Sequence, residues 1–449
     1  MSVFKSKILL FLILAAASAR ADVPPVTEGA LKKIDPDEIG IATVDGSDDL
    51  WTDASFRDVA GAFDKADPFV PTQGRMLRDL LATTAGKPAD TPSSGAFLTA
   101  RLNKLFALGF FGDVVELSKK IPPRDRTAGQ DEAVLNALLV TDLNAACAFR
   151  GEKSDAVRLI CAVSDQDEEE IYRLLDLLGE QQNDPFYAAC ANAFLNRTET
   201  TGAPVEKTPL AVAVMRKFKI PWTVGPDDPA WWRKAFAETA FLPPEKRLPV
   251  AEDLTEKGLF DPAKLNALYA VTGVLDNGAR AAFSKTKNKN AFAAATEDFW
   301  NERETDLETL ADCAADIEAF ARAGLTEKAD ERLNKAELVF PGSPTVVKGW
   351  KWAEFHPKKE RFFELRAGAG DPDGALRLFF DLGLFSGDEE SALPTEKQAV
   401  CEPFGAKSRG LRVLNALNAL KTDTVCAVRA LIGEGFEAQA LQMAAEVQP

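Results

Sequence analysis

One segment near the C-terminal end gathers residue types that suit an anionic or carbohydrate partner. Residues 348–361, KGWKWAEFHPKKER, interleave aromatic residues with cations. Aromatic rings beside cations recognise such partners through stacking and charge. The alternative is an amphipathic helix whose aromatic residues are core and whose lysines are solvated. The candidate partner-binding residues are Trp350, Lys351, Trp352, Lys358, Lys359 and Arg361.

Catalytic and metal-binding motifs are scarce, because His356 is the only histidine of the chain. An HExxH zinc site or a multi-histidine cluster needs at least two. GxSxG, the phosphate-binding GxxxxGK[ST] loop and a GxGxxG motif after a strand are also missing. The sequence therefore predicts a non-enzymatic protein with no catalytic, cofactor-binding or metal-binding residue and no cofactor.

Carboxylates are plentiful, with 69 acidic residues, and two paired carboxylates suffice for a glycosidase. An enzyme that acts on envelope polysaccharide is therefore the alternative function. Residues 371–374, DPDG, resemble the middle of a calcium loop, but Ala369 and Phe380 occupy two of its ligand positions. We expect no calcium site there.

Six cysteines are spread thinly over the 449 residues, so they form neither a dense disulfide framework nor a zinc motif. Cys147 and Cys161 flank the turn signal at 150–152, which could bring them together on two legs of a helical hairpin. The sequence predicts a disulfide between them. The alternative for each cysteine is a small buried apolar residue.

The N-terminal residues predict export. Lys5 and Lys7 precede an apolar run, and Ala19 and Ala21 are the small residues that a signal peptidase reads. We expect cleavage near Ala21 and a periplasmic or secreted protein without a membrane span in the mature chain; an uncleaved anchor helix is the alternative. The net charge of −16 argues against a nucleic-acid partner.

Nearly every segment after about residue 50 has helical periodicity, with no convincing alternation of β-branched residues. Clear amphipathic stretches include 130–149 and 410–432. Proline, glycine and acidic residues divide the chain further. The predicted organisation is a signal peptide at 1–21, a poorly packed extended leader at 22–50, a helical-hairpin array at 51–200, a connection at 201–230, a central array at 231–384 and a C-terminal segment at 385–449.

Glycines that could end helices are followed five residues later by a small residue. The pairs are Gly151 and Ala156, Gly258 and Ala263, Gly324 and Ala329, Gly370 and Ala375, Gly435 and Ala440, and less clearly Gly109 and Val114. Glycine can adopt the left-handed conformation that ends a helix, and alanine lets the next helix approach closely. This pattern predicts an all-α fold of stacked antiparallel helical hairpins, an α-solenoid.

The segment 320–343 resembles the second half of a tetratricopeptide repeat, although the glycine spacing is irregular. The mature chain as a whole resembles exported helical-repeat proteins of alphaproteobacteria. That resemblance rests on RMLRDLLATTAGKP (75–88), LTARLNKLFALGFFGDVVELSKKIPP (98–123), AACAF (145–149) and VRALIGEGFEAQALQMAAEV (428–447). It implies a periplasmic α-solenoid without a known catalytic role. We therefore expect a non-catalytic scaffold that binds a protein partner of the cell envelope.

Overall fold

A computed structural model describes residues 35–44, 46–181, 185–199, 202, 204, 206–276, 278–302, 310–339 and 404–447. The predicted signal peptide (1–21) and the predicted partner-binding segment (348–361) lie outside these residues. The described part contains 21 α-helices and no strand, so the predicted all-α fold is confirmed. Its one isolated β-bridge joins Ala42 to Thr83.

The helices fall into three stretches of the chain. The first nine are α1 (Phe56–Lys65), α2 (Pro71–Ala82), α3 (Ala96–Ala107), α4 (Phe111–Lys119), α5 (Ala128–Thr141), α6 (Leu143–Ala148), α7 (Asp155–Asp165), α8 (Glu168–Gln181) and α9 (Pro185–Asn196). The next nine are α10 (Pro209–Lys217), α11 (Ala230–Ala237), α12 (Pro244–Glu256), α13 (Pro262–Thr272), α14 (Ala279–Lys285), α15 (Lys289–Ala295), α16 (Glu297–Glu302), α17 (Leu310–Arg322) and α18 (Thr326–Val339). The last three are α19 (Arg409–Ala419), α20 (Thr424–Gly433) and α21 (Glu437–Val447).

Local sequence explains where many of these helices begin. The hydroxyl groups of Ser55, Ser154 and Ser408 accept hydrogen bonds from backbone N–H groups in the first turns of α1, α7 and α19. Thr127 and Gln130 form a reciprocal capping box at the start of α5. Helices α2, α10, α12 and α13 start with proline, whose fixed φ suits the first turn.

Four of the predicted hairpin glycines have positive φ between consecutive helices, namely Gly109, Gly258, Gly324 and Gly435. Gly324 and Gly435 are followed by the buried Ala329 and Ala440, as the predicted close packing requires. Ala263, which follows Gly258, is exposed, so the predicted packing role is wrong at that position. Gly151 differs, because it lies in the connection before Ser154 without positive φ. Gly370 is outside the described residues.

The first described helices pack against the last ones. Helix α1 contacts α19, α2 contacts α21, and α17 also contacts α21. One apolar core runs from Val44 to Ala444, so the described parts of the predicted arrays share it. A smaller cluster lies between α7, α8 and α9 and includes Leu159, Ile171 and Leu174. The arrangement of the hairpins as a solenoid stays a prediction.

Two segments are better packed than the sequence predicted. Residues 46–50 and 35–44 were expected in a loose leader, yet Asp37 and Leu50 are fully buried. The carboxylate of Asp37 accepts hydrogen bonds from the backbone N–H groups of Gly95 and Leu98. The predicted connection 201–230 contains α10, which packs on α5 with Met215 fully buried. Tertiary contacts order both segments. Such contacts cannot be predicted from amino-acid composition.

Candidate ligand-binding cleft

A cleft of 630 Å³ opens where the N-terminal and C-terminal helices meet. Helices α2 and α21 form two of its sides, and the turn between α17 and α18 forms another. Its volume is in the range of small-molecule and peptide-binding clefts. Because the two main sides are separated by more than 350 positions of sequence, only the folded chain creates it.

Apolar side chains from three parts of the chain line the inner part of the cleft. They are Val44, Met76, Leu80, Phe436 and Leu441. All five are buried. Met76 and Leu80 lie four residues apart on α2, the spacing that places side chains on one helical face. The inner part of the cleft is therefore apolar.

Arg75 and Asp79 supply opposite charges at the side of the cleft formed by α2. Each side chain is 52% exposed. The Arg75 guanidinium donates a 2.6 Å hydrogen bond to the hydroxyl of Thr72. Asp79 lies 3.9 Å from the guanidinium of Arg78, and burial raises the pKa of its carboxyl above the ordinary value. Arg75 also lies 3.7 Å from the carboxylate of Glu446, so both charges already have a partner, but half of each side chain stays exposed beside the cleft.

A buried carboxylate fixes α2 against α21 behind the cleft. The side chain of Glu446 is 1% exposed. Its oxygens accept hydrogen bonds from the Thr72 backbone N–H at 2.9 Å, the Thr72 hydroxyl at 2.7 Å and the Gln442 amide at 3.2 Å. Glu446 therefore acts as an N-terminal cap for a helix 374 positions away in the sequence. Burial raises the pKa of its carboxyl, while nearby Arg75 opposes that shift.

A polar network continues from Glu446 into the middle of the protein. The backbone carbonyl of Glu446 accepts hydrogen bonds from Asn290 and Arg322. Glu256 accepts hydrogen bonds from the Asn290 side chain and from the Ala291 backbone N–H, both at 2.7 Å. Burial raises the pKa of the Glu256 carboxyl, and the charge of Glu446 adds to this shift. The network joins α12, α15, α17 and α21.

Arg409 closes another side of the cleft. It donates hydrogen bonds to the backbone carbonyls of Gly46 at 3.2 Å and Glu434 at 2.5 Å. Its guanidinium also lies 5.1 Å from the centre of the Phe436 ring. These contacts tie the N-terminal segment to the start of α21. Arg409 therefore shapes the cleft.

The sequence did not predict this cleft. The six predicted partner-binding residues, from Trp350 to Arg361, lie outside the described residues, and their role stays a prediction. Arg75 and Asp79 fall in RMLRDLLATTAGKP, a segment that indicated only fold. Both residues lie on the part of α2 that faces α21. No local sequence pattern indicates which helix packs against that face.

The predicted disulfide is confirmed. Cys147 and Cys161 are joined, with their Cα atoms 5.4 Å apart. Cys147 lies near the end of α6 and Cys161 lies within α7, so the bond spans the turn that the sequence indicated. Cys426 is also disulfide-bonded.

Within the described ranges, the helices are too short or too polar to cross a bilayer. In the same ranges, no three His, Cys, Asp or Glu side chains are grouped as they would be around a metal ion. Comparisons with protein-family models, curated proteins and solved structures found no match.

Proposed function

We propose that this protein is a non-catalytic binding protein of the cell envelope that holds a segment of a partner protein in the α2–α21 cleft. The observation that carries the proposal is the cleft itself, with an apolar interior beside half-exposed charged side chains. Buried apolar surface supplies affinity, and a few placed polar groups supply orientation. Helices α2 and α21, which form two of its sides, hold many of these groups in place.

Export is part of the same proposal and rests on two independent features. The N-terminal residues have the charge and small-residue pattern of a signal peptide. The Cys147–Cys161 bond is of the kind that persists in oxidising compartments. The resemblance to exported helical-repeat proteins supports the same location.

The enzyme alternative needs two carboxylates that converge on one cleft. Asp79 is the only acid among the described residues that line this one. Glu446, the nearest buried carboxylate on α21, uses its oxygens to hold Thr72 and Gln442. These contacts favour the binding role for the cleft over hydrolysis.

The test is to fill the cleft and measure partner retention. Ala438 is exposed and lines the cleft, so Ala438→Trp should obstruct it without disturbing the core. We expect the full-length variant to lose proteins that wild-type protein retains from envelope extract, with an unchanged Tm.

Ala189→Trp is the matched control, because Ala189 is an exposed alanine of α9 away from the cleft. It should retain the same proteins as wild type. Equal retention by wild type and Ala438→Trp would refute binding through the cleft.

A further inference from the structure

The two charges of the cleft have a defined spacing. Arg75 and Asp79 are four residues apart on α2, which places them about 6 Å apart along the helix axis. In an extended peptide, side chains two residues apart point the same way and are separated by about 6.6 Å. An acidic and a basic side chain at such positions would therefore meet Arg75 and Asp79 together.

The remaining lining groups suit a peptide backbone. The side chains of Thr43, Thr326 and Gln439 line the cleft and make no hydrogen bond to any described residue. Hydroxyl and amide groups can donate to carbonyls and accept from N–H groups. On the side formed by α21, Leu441 and the preceding Phe436 provide an apolar surface for the side chain between the two charged ones.

We propose that the cleft recognises an extended protein segment in which an apolar residue separates an acidic from a basic residue. Arg75 pairs with the acidic side chain and Asp79 with the basic one, while the apolar side chain contacts Phe436 and Leu441. This inference rests on the proposed function and specifies its ligand. A purely anionic ligand would be repelled by Asp79, and a purely cationic one by Arg75.

Two synthetic peptides test the charge requirement directly. Calorimetry should show that acetyl-AELKA-amide binds the full-length protein about tenfold more tightly than acetyl-AQLQA-amide, since two partly exposed ion pairs are lost in the second. Arg75→Glu and Asp79→Lys should each remove this preference. Arg429→Glu and Asp176→Lys, which reverse exposed charges on α20 and α8, should keep it.

Several outcomes would overturn the inference. Equal affinity for the two peptides, or no binding of acetyl-AELKA-amide at millimolar concentration, would do so. Phosphatidylethanolamine vesicles carry the same two charges on a lipid headgroup, so cosedimentation with them and no peptide binding would also overturn it. If Arg75→Glu retains the envelope partner while Ala438→Trp loses it, binding through the cleft stands and the charge inference fails.

Discussion

Arg101 on α3 is a fully buried cation that organises the N-terminal part of the protein. Its guanidinium donates hydrogen bonds to four backbone carbonyls, those of Asp37, Ile39, Leu81 and Thr83. Burial lowers its pKa to about 10, which still leaves it charged at neutral pH. This one side chain joins the segment before α1 to the end of α2, whose other residues line the cleft.

We expect Arg101→Met to lower the free energy of unfolding by about 3 kcal/mol, because four buried carbonyls would lose a charged donor. The stability of Arg101→Lys should lie between that of Arg101→Met and that of wild type, since an ammonium group cannot reach all four carbonyls. Urea unfolding measures both. Arg429→Met, on an exposed surface, should change stability by less than about 0.5 kcal/mol. A similarly small effect at Arg101 would contradict the structural role.

At the scale of secondary-structure elements, a few specific bonds fix pairs of helices to each other. The Cys147–Cys161 bond joins α6 to α7, and the Glu446 carboxylate joins α21 to the first turn of α2. The first link is covalent and short in sequence. The second is a set of hydrogen bonds that connects opposite ends of the described chain. They should respond to different conditions, redox state and pH.

Replacing both Cys147 and Cys161 with alanine should destabilise the protein by about 3 kcal/mol, the value expected for opening a loop of this size. The two cysteines are 14 positions apart. Thermal unfolding of the variant and peptide mapping of the unreduced wild type provide the measurements. Recovery of the two cysteines in separate, unlinked peptides from native protein would contradict the bond.

The link at Glu446 predicts a pH dependence. Burial raises the pKa of the Glu446 carboxyl in the folded state above the ordinary 4.5, so the protonated carboxyl stabilises the fold. This stabilisation is complete below the pKa of the unfolded state and is lost as the pH rises through the pKa of the folded state. Arg75 opposes the shift, and Glu256 shifts in the same direction. Glu446→Gln should therefore lose less stability than wild type between pH 4.5 and 8 in urea unfolding. Parallel pH curves for the two proteins would disprove this assignment.

The whole described chain combines one large core, from Val44 to Ala444, with a smaller cluster between α7 and α9. Met443 of α21 is fully buried in the large core, and Ile171 of α8 is fully buried in the small cluster. Because α21 contacts both α2 and α17, a change at its core face should reach helices distant in sequence.

Met443→Ala should cost about 2–3 kcal/mol and increase hydrogen exchange in α2 as well as in α21. Ile171→Ala is the matched change in the small cluster, and it should increase exchange in α7 to α9 while leaving α2 protected. Mass spectrometry of exchanged peptides distinguishes the two patterns. Increased exchange restricted to α21 in Met443→Ala would show that the chain ends are not coupled.

Much of the local structure could be read from the sequence. Helical periodicity gave the all-α fold, and glycines at 109, 258, 324 and 435 marked turns because a left-handed residue ends a helix at little steric cost. The predicted stretch 130–149 divides at Asp142, and 410–432 divides before Thr424. Asp142 and Asp423 cap the helices that follow them, a signal present in the sequence. The disulfide was also predictable, since its cysteines flank a short turn.

The cleft and its charges were decided only by the tertiary structure. Capping, periodicity and turn signals depend on residues within a few positions of one another, so they can be recognised in the sequence. The cleft depends on α2 meeting α21, and the Thr72–Glu446 link that holds them spans 374 positions. The local sequence pattern does not indicate which of several amphipathic helices covers the apolar face of α2. Packing of the complete core selects α21, and that choice places Arg75 and Asp79 beside the cleft.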